Sequence, residues 1–241
     1  MLTLLKKRQD RAAIKAALTN PQEQEIQETS GEPTVVPSAS PSDPFANKSW
    51  DEVQRILETD LGFVRTLAGF EEKNTFKKEL IKKYKEQAEH LLATRANLEG
   101  LDLLWWYYMW QVDCGLLDLI HDDFRAAISR GLCTPQKWNS NGQVAYCDVI
   151  FKYSDSAYKA KVTFNHTYLS QAITDITEGK LAINAPLKVK MFRLAGKLLD
   201  EAGAKEGALA LFEAVMQMDP NRGGCKKRLQ ELKEELEHEQ E

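Results

Sequence analysis

The stretch LLWWYYMWQVDCG, from Leu103 to Gly115, places five aromatic residues among six consecutive positions. On a helix that turns about 100° per residue, Trp105 and Tyr108 fall on one side, while Trp106 and Trp110 fall on another. Aromatic rings therefore point in nearly all directions around the axis, which is the pattern of a helix buried on most sides. We predict a central core helix here.

A base-stacking surface or a membrane segment could also contain this many aromatic residues. Stacking surfaces place lysine or arginine between the rings, but no lysine or arginine lies between Leu101 and Asp123. Five aspartates in that interval would repel phosphate. No apolar run approaches the roughly 20 residues that a membrane helix needs. Core packing is therefore favoured, and we expect no membrane association.

The composition is that of a soluble protein, with 43% hydrophobic and 28% charged residues among 241. The net charge of −4 means that any nucleic-acid contact requires a local basic patch. The beginning, MLTLLKKRQDR, lacks the apolar core of a secretory signal. The four cysteines show no C-x-x-C spacing and the four histidines complete no zinc pattern. These features predict a cytoplasmic protein with reduced thiols.

Composition shifts divide the chain into five regions. Residues 1–18 form a basic arm, with five basic residues and one acid. Residues 19–47 contain five of the eight prolines and few aliphatic residues, so we predict a disordered linker that buries too little apolar surface to fold. The other predicted regions are an N-terminal helical region at 48–100, a helical core at 101–223 and a charged C-terminal helix at 224–241.

The N-terminal helical region has clear local signals. Ser49 and Glu52 predict a capping box at the start of a helix. A longer helix is predicted over residues 71–98, with an apolar stripe on one side. The stripe consists of Phe76, Leu80, Tyr84, Ala88 and Leu91, and the opposite side carries Lys78, Lys82 and Lys85.

Two later segments, beginning at Asp113 and Glu201, share an acid-x-Gly turn followed by a helix. Gly115 and Gly203 suit the left-handed conformation that ends a helix. These segments predict two helical hairpins of tetratricopeptide-like build. Residues 139–166 fit either a strand or a helix, and the helix is favoured. The expected fold is thus all-α, a helical bundle with tetratricopeptide-like hairpins, preceded by the disordered linker.

The sequence offers no convincing catalytic centre, because nucleotide-binding glycine loops and nucleophile elbows are both absent. Glu178 and Lys180 have the Glu-x-Lys spacing of metal-dependent nucleases, a match that short motifs often reach by chance. The acids considered for Mg²⁺ are Asp118, Asp122 and Asp123 on one predicted helix, and Asp148, Asp155 and Asp175 upstream of Glu178. A solvated acidic face is the favoured interpretation of the first three. We therefore assign no catalytic residue and no metal ligand, and Mg²⁺ would be a cofactor only of a nuclease.

The basic features point to DNA. The interval from Lys73 to Lys85 holds six lysines and one acid. With the N-terminal arm it would neutralise several phosphates and give salt-sensitive, sequence-tolerant DNA binding. A solvated helix face is the alternative and stays equally open. The predicted DNA-binding residues are Lys6, Lys7, Arg8, Arg11, Lys78, Lys82, Lys83 and Lys85.

Two blocks of the sequence carry a family resemblance. The first follows the pattern W-x-x-D-x-G, a helix, then G-L-x-x-P, at Trp110, Asp113, Gly115, Ala126, Gly131, Leu132 and Pro135. The second is LAGKLLDEAGAKEGALALFEAVMQMD followed by KKRLQELKEELE. On these blocks the chain resembles the small terminase subunit of cos-packaging temperate tailed phages, also labelled the terminase endonuclease subunit. The resemblance spans roughly residues 50–237 and rests on packing and turn residues.

The resemblance implies a protein of viral genome packaging and virion assembly in the host cytoplasm. Such a subunit recognises concatemeric double-stranded viral DNA at the cos site and works beside a separate large ATPase subunit. Together they cut the DNA and dock it to the portal of the procapsid. The resemblance also implies an endonuclease role within the complex, although no catalytic motif is identifiable in this chain.

One departure from the family concerns the C-terminus. Residues 225–241 contain four basic residues and six glutamates, where family members can carry a basic tail. We therefore predict DNA contact through the N-terminal arm or the lysine-rich helix. Leu229, Leu232 and Leu236 have coiled-coil spacing, which together with multivalent DNA binding favours a homo-oligomer.

Two other functions remain open at this point. The first is a tetratricopeptide-like adaptor that binds a protein partner without binding DNA. The second is a stand-alone metal nuclease, which would require Mg²⁺-dependent cleavage by the purified chain.

Overall fold

A computed structural model describes residues 44–45 and 47–238, and the regular structure within them is entirely α-helical. The basic arm at 1–18 and most of the predicted linker at 19–47 lie outside the described residues. The helices are α1 (Trp50–Thr66), α2 (Gly69–Thr94), α3 (Asp102–Asp113), α4 (Leu117–Ser129), α5 (Gly142–Lys159), α6 (Thr167–Thr177), α7 (Ala185–Glu201), α8 (Lys205–Met218) and α9 (Lys226–His238). The all-α prediction is confirmed. No helix among them is long and apolar enough to span a bilayer.

Contacts within the chain define two compact units, which we describe separately. The first unit contains the described residues up to Leu91 together with Tyr107–Leu119. The second contains Leu92–Trp106 and the described residues from Ile120 onward. Helix α3 therefore supplies residues to both units.

The aromatic helix α3 is buried on most sides, as its sequence predicts. Trp105 is fully buried, with its ring centroid 5.8 Å from that of Phe124 and 5.4 Å from that of Trp138 in the second unit. Trp110 is also buried, and its ring lies 5.5 Å from Tyr84 in the first unit. The prediction of core packing is confirmed.

Two sequence patterns, the capping box and the apolar stripe, correctly predict where α1 begins and which side of α2 is buried. The Ser49 backbone N–H donates to Glu52 Oε2 at 2.7 Å, and the Glu52 N–H donates to Ser49 Oγ at 3.3 Å, so the capping box is confirmed. In the apolar stripe of α2, Phe76 is half-buried and the remaining members are buried: Leu80, Tyr84, Ala88 and Leu91. The periodicity therefore predicts this side correctly.

Helix α2 ends at Thr94, four residues before the predicted end at Leu98. The Arg130 side chain donates to the backbone oxygens of Leu92, at 2.8 Å, and of Arg95. The N–H of Leu98 donates to the Arg130 backbone oxygen at 2.9 Å. These long-range partners satisfy backbone groups that a longer helix would have paired internally.

Both hairpin turns have the expected geometry. Gly115 and Gly203 have φ of +76° and +79°, the left-handed conformation that glycine adopts without a steric penalty. In the second hairpin, α7 packs closely on α8, because a Cβ at Gly196 would lie 2.5 Å from the Phe212 ring. The second helical hairpin is confirmed, and the turn of the first has the predicted geometry.

The ambiguous region 139–166 is helical over α5. Asn141 caps this helix by accepting a hydrogen bond from the Val144 N–H at 2.9 Å. The helix prediction for residues 139–166 is confirmed.

The C-terminal helix α9 packs on α8 within the second unit. Leu232, one of the three leucines with coiled-coil spacing, is fully buried there. Homo-oligomerisation stays a prediction.

Candidate nucleic-acid interface

The lysines of α2 point to different sides of the helix. At about 100° per residue, Lys78, Lys82 and Lys85 fall within about 60° of one another, opposite the apolar stripe. Lys82 and Lys85 are exposed and Lys78 is half-buried. We call these three residues the α2 lysine face.

Two other lysines of α2 are held by carboxylates of the first unit. Lys83 Nζ lies 2.6 Å from Asp60 Oδ2, and Lys77 Nζ lies 2.6 Å from Asp113 Oδ2. The Lys77 side chain is largely buried, and about a third of the Lys83 side chain is exposed. The charge of Lys83, which the sequence groups with the DNA-binding residues, is therefore already compensated within the unit.

Asp60 also fixes α2 against α1 through Tyr84. The Tyr84 hydroxyl donates to Asp60 Oδ2 at 2.7 Å, and its ring stacks on Phe45 with a centroid distance of 5.0 Å. Burial, together with this hydrogen bond to Asp60, raises the pKa of Tyr84 above its ordinary value. The phenol therefore remains protonated as a donor, and this contact sets the orientation of α2 and of its lysines.

The α2 lysine face carries only weak internal ion pairs. Lys82 Nζ lies 3.3 Å from Glu79 Oε1, and both side chains are more than 60% exposed. Lys85 Nζ lies 3.9 Å from Glu89 Oε1, again between exposed side chains. Exposed pairs of this kind contribute about 0–1 kcal/mol. A stronger anion can therefore replace these glutamates at little cost.

Lys78 occupies the half-buried edge of the face. Burial raises the pKa of the Cys114 thiol, and the positive charges of Lys78 and Lys77 oppose that rise. Cys114, which follows α3, donates its Sγ–H to the Asn74 backbone oxygen of α2 at 3.8 Å, and Lys78 lies one helical turn beyond Asn74. Lys6, Lys7, Arg8 and Arg11 lie outside the described residues, so their DNA binding stays a prediction.

The acids considered for Mg²⁺ do not form a metal site. Residues 44–45 and 47–238 contain no group of three or more His, Cys, Asp or Glu side chains that could hold a metal ion. Glu178 and Lys180 pair with each other at 2.6 Å. Asp148 and Asp155 pair with lysines of their own helix, also at 2.6 Å. The described residues therefore offer no support for a metal-dependent nuclease centre.

Asp175, the remaining upstream acid, has a structural role that its sequence context does not reveal. It is buried and accepts hydrogen bonds from Arg125 Nε at 2.6 Å and from Arg125 Nη2 at 2.7 Å. This bidentate contact joins α4 to α6 within the second unit. The 50 residues that separate Arg125 from Asp175 leave no local signal for this pair.

A second polar contact, also unforeseen, lies in the core of the second unit. His121 is buried, with Nε2 3.1 Å from the Tyr146 hydroxyl and Nδ1 2.8 Å from Asp122 Oδ1. Its ring stacks on Tyr168 with centroids 3.8 Å apart. Burial raises the pKa of Tyr146 above its ordinary value. Asp122 is thus engaged with His121 and joins no cluster of acids within the described part of the chain.

The chain matches the model of a known protein family. The model of a family described as the phage small terminase subunit matches residues 55–184, which is more than half of the chain. The matched range runs from within α1 to the residue before α7, and so includes α2 and α3. Neither a curated protein nor a solved structure matches the chain.

Proposed function

This chain belongs to the phage small terminase subunit family, and from that premise we propose that it binds concatemeric viral DNA at cos. Membership of the family gives it a role as a terminase subunit in DNA packaging. The finer proposal is that it acts with the large ATPase subunit in genome cleavage and in packaging into procapsids. We assign the cutting to the assembled complex and propose no catalytic residue in this chain.

The observation that carries the proposal is the α2 lysine face. It places Lys78, Lys82 and Lys85 side by side, and the apolar stripe on the opposite side anchors the helix. A chain with a net charge of −4 needs such a local patch to approach a polyanion. Lysine contacts to phosphate give affinity without sequence readout, and several copies in a homo-oligomer would add their contacts.

We expect K78Q/K82Q/K85Q to weaken binding of a cos-containing duplex by at least about tenfold, because three phosphate contacts are lost. The slope of log affinity against log salt is expected to fall by about 2.7, or about 0.9 per contact. Fluorescence anisotropy of a labelled duplex, measured over a series of salt concentrations, gives both quantities.

The matched control for that experiment is K152Q/K159Q/K180Q. It removes the same number of charges from exposed lysines that pair with nearby acids in the second unit. Equal affinities for the two triple variants would remove DNA binding from α2. Absence of wild-type binding even at low salt would refute DNA binding by this chain.

A protein-interaction adaptor without DNA binding is the second candidate, and one observation favours it. The side chains of Phe63 and Phe70 are 50% and 66% exposed at the end of α1 and the start of α2. Exposed aromatic residues of this size are typical of protein-binding surfaces. If the adaptor function is correct, F63S/F70S will weaken binding of the purified large terminase subunit by at least about tenfold.

Variant L119S is the control, because Leu119 is another exposed apolar residue of the first unit. Calorimetry with the large subunit and anisotropy with DNA separate the two candidate functions. An adaptor binds the large subunit and leaves the anisotropy of the labelled duplex unchanged. Equal binding of the large subunit by F63S/F70S and L119S would refute a protein-binding role for the two phenylalanines.

A further inference from the structure

A second concentration of positive charge occurs in the last three helices. Residues 185–199 contain four basic residues and no acid, and residues 220–228 again contain four basic residues and no acid. Both segments lie beyond residues 55–184, which the family model matches. The net charge of the C-terminal residues conceals this concentration, because the glutamates come later, from Glu231 onward.

Helix α7 groups its basic residues on one side. Lys190, Arg193 and Lys197 follow the spacing i, i+3, i+7, and so fall within about 60° of one another. Lys190 and Lys197 are exposed and Arg193 is half-buried, while Met191 and Phe192 on other sides of the helix are buried. Packing of α7 on α8 therefore leaves this basic side facing outward.

Arg193 holds the connection between α8 and α9 against α7. Its Nη1 donates to the Gly223 backbone oxygen at 3.2 Å. A Cβ at Gly224, where φ is +71°, would lie 2.8 Å from the same Nη1, so the chain passes close to the guanidinium. Burial raises the pKa of the Cys225 thiol, and the charges of Arg193 and Lys197 oppose that rise, which agrees with this proximity.

The segment that Arg193 holds brings further charge to the same part of the unit. Arg222 and Lys226 are exposed immediately before and after residues 223–225. We call Lys190, Arg193, Lys197, Arg222 and Lys226 the α7 basic surface. Four members of this surface are exposed: Lys190, Lys197, Arg222 and Lys226. None of these four takes part in an ion pair that the structure shows within residues 44–45 and 47–238.

The neighbouring basic residues, Lys227 and Arg228, are engaged elsewhere. Arg228 binds Asp200 through Nε and Nη2, each at 2.7 Å, and Lys227 Nζ lies 3.5 Å from Glu231 Oε1. Asp200 and Glu231 are thus paired with cations that do not belong to the α7 basic surface. Asp219 lies beside the surface, because its Oδ1 accepts a hydrogen bond from the Arg222 backbone N–H at 2.9 Å. The five basic side chains outnumber this one acid, so the surface remains positive.

The chemistry of this surface fits a polyanion better than a protein. Protein interfaces have an apolar, often aromatic centre, yet the large exposed apolar residues of the described chain all lie before α7: Phe63, Phe70, Leu119 and Trp138. A positively charged surface without large exposed apolar residues is complementary to the regularly spaced negative phosphates of a nucleic-acid backbone.

We propose that the α7 basic surface binds the phosphate backbone of duplex DNA, as a contact surface additional to the α2 lysine face. This inference rests on the proposed function, because it requires a chain that binds DNA. Lys190, Lys197, Arg222 and Lys226 contact phosphates. Arg193 is a positioning residue, since it holds the segment that carries Arg222 and Lys226.

The test uses the full chain with K190Q/K197Q/K226Q, the control K152Q/K159Q/K180Q and a labelled cos-containing duplex. We expect the first variant to bind the duplex at least about tenfold more weakly than the wild type, and its slope of log affinity against log salt to fall by about 2.7. The control is expected to bind with nearly the affinity of the wild type. Circular dichroism checks that both variants are folded, which we expect because every substituted side chain is exposed.

The outcomes distinguish failure of this inference from failure of the proposed function. Wild-type binding with equal affinities for the two variants overturns the α7 basic surface and leaves DNA binding intact. Absence of wild-type binding overturns both. Unchanged DNA affinity with loss of binding to the purified large terminase subunit would assign the surface to an acidic protein partner, and would overturn its assignment to DNA.

Discussion

Replacing Trp105 by alanine is expected to lower the free energy of unfolding by about 3–5 kcal/mol, the largest effect that we anticipate for this chain. Trp105 is fully buried and packs against Phe124 and Trp138 within the second unit. Its indole Nε1 makes no hydrogen bond, so the loss arises from apolar contacts and from the cavity left behind. Urea denaturation followed by far-ultraviolet circular dichroism measures this change.

The control for Trp105→Ala is Phe70→Ala, which also removes a large aromatic ring. Because Phe70 is 66% exposed, its replacement is expected to change the free energy of unfolding by less than about 0.5 kcal/mol. A Trp105 variant as stable as the Phe70 variant would contradict the core role of α3.

The second large effect is expected from Asp175→Ala, at about 2–4 kcal/mol. Asp175 is buried and binds Arg125 through two hydrogen bonds, so its removal leaves the guanidinium without that partner. The Arg125 side chain is 38% exposed, and water can partly compensate, which places the cost below that of a fully buried pair. Equilibrium unfolding in urea measures this loss.

Asp148→Ala is the control, because Asp148 pairs with exposed Lys152 on its own helix. Its removal is expected to cost less than about 1 kcal/mol. The single variant Arg125→Ala and the double variant R125A/D175A complete a mutant cycle, in which a coupling energy near zero would show that the two hydrogen bonds do not stabilise the fold.

The sequence predicts those features of the fold that depend on local patterns. The capping box at Ser49, the left-handed turns at Gly115 and Gly203 and the apolar stripe of α2 each involve residues within a few helical turns. The burial of α3 follows in the same way, because rings on all sides of one helix leave no side suited to water.

Contacts between distant residues could not be predicted in this way. Lys83 meets Asp60 across 23 residues and Lys77 meets Asp113 across 36, and both contacts depend on how the helices pack. The pattern of α2 therefore identifies a lysine-rich helix but does not show which lysines remain available. The α7 basic surface is a similar example, since Arg193 joins it to a segment 30 residues away.

The glutamates beside Lys82 and Lys85 bear on how firmly this subunit would hold a genome. A phosphate that reaches either lysine displaces a carboxylate already present on the same helix. The net gain from each contact is then the affinity of the lysine for phosphate less its weak interaction with the glutamate, and the released glutamate remains on the same helix to compete for the lysine. If the chain binds DNA as proposed, contacts of this kind would dissociate readily, which would suit a duplex that moves along the protein during packaging.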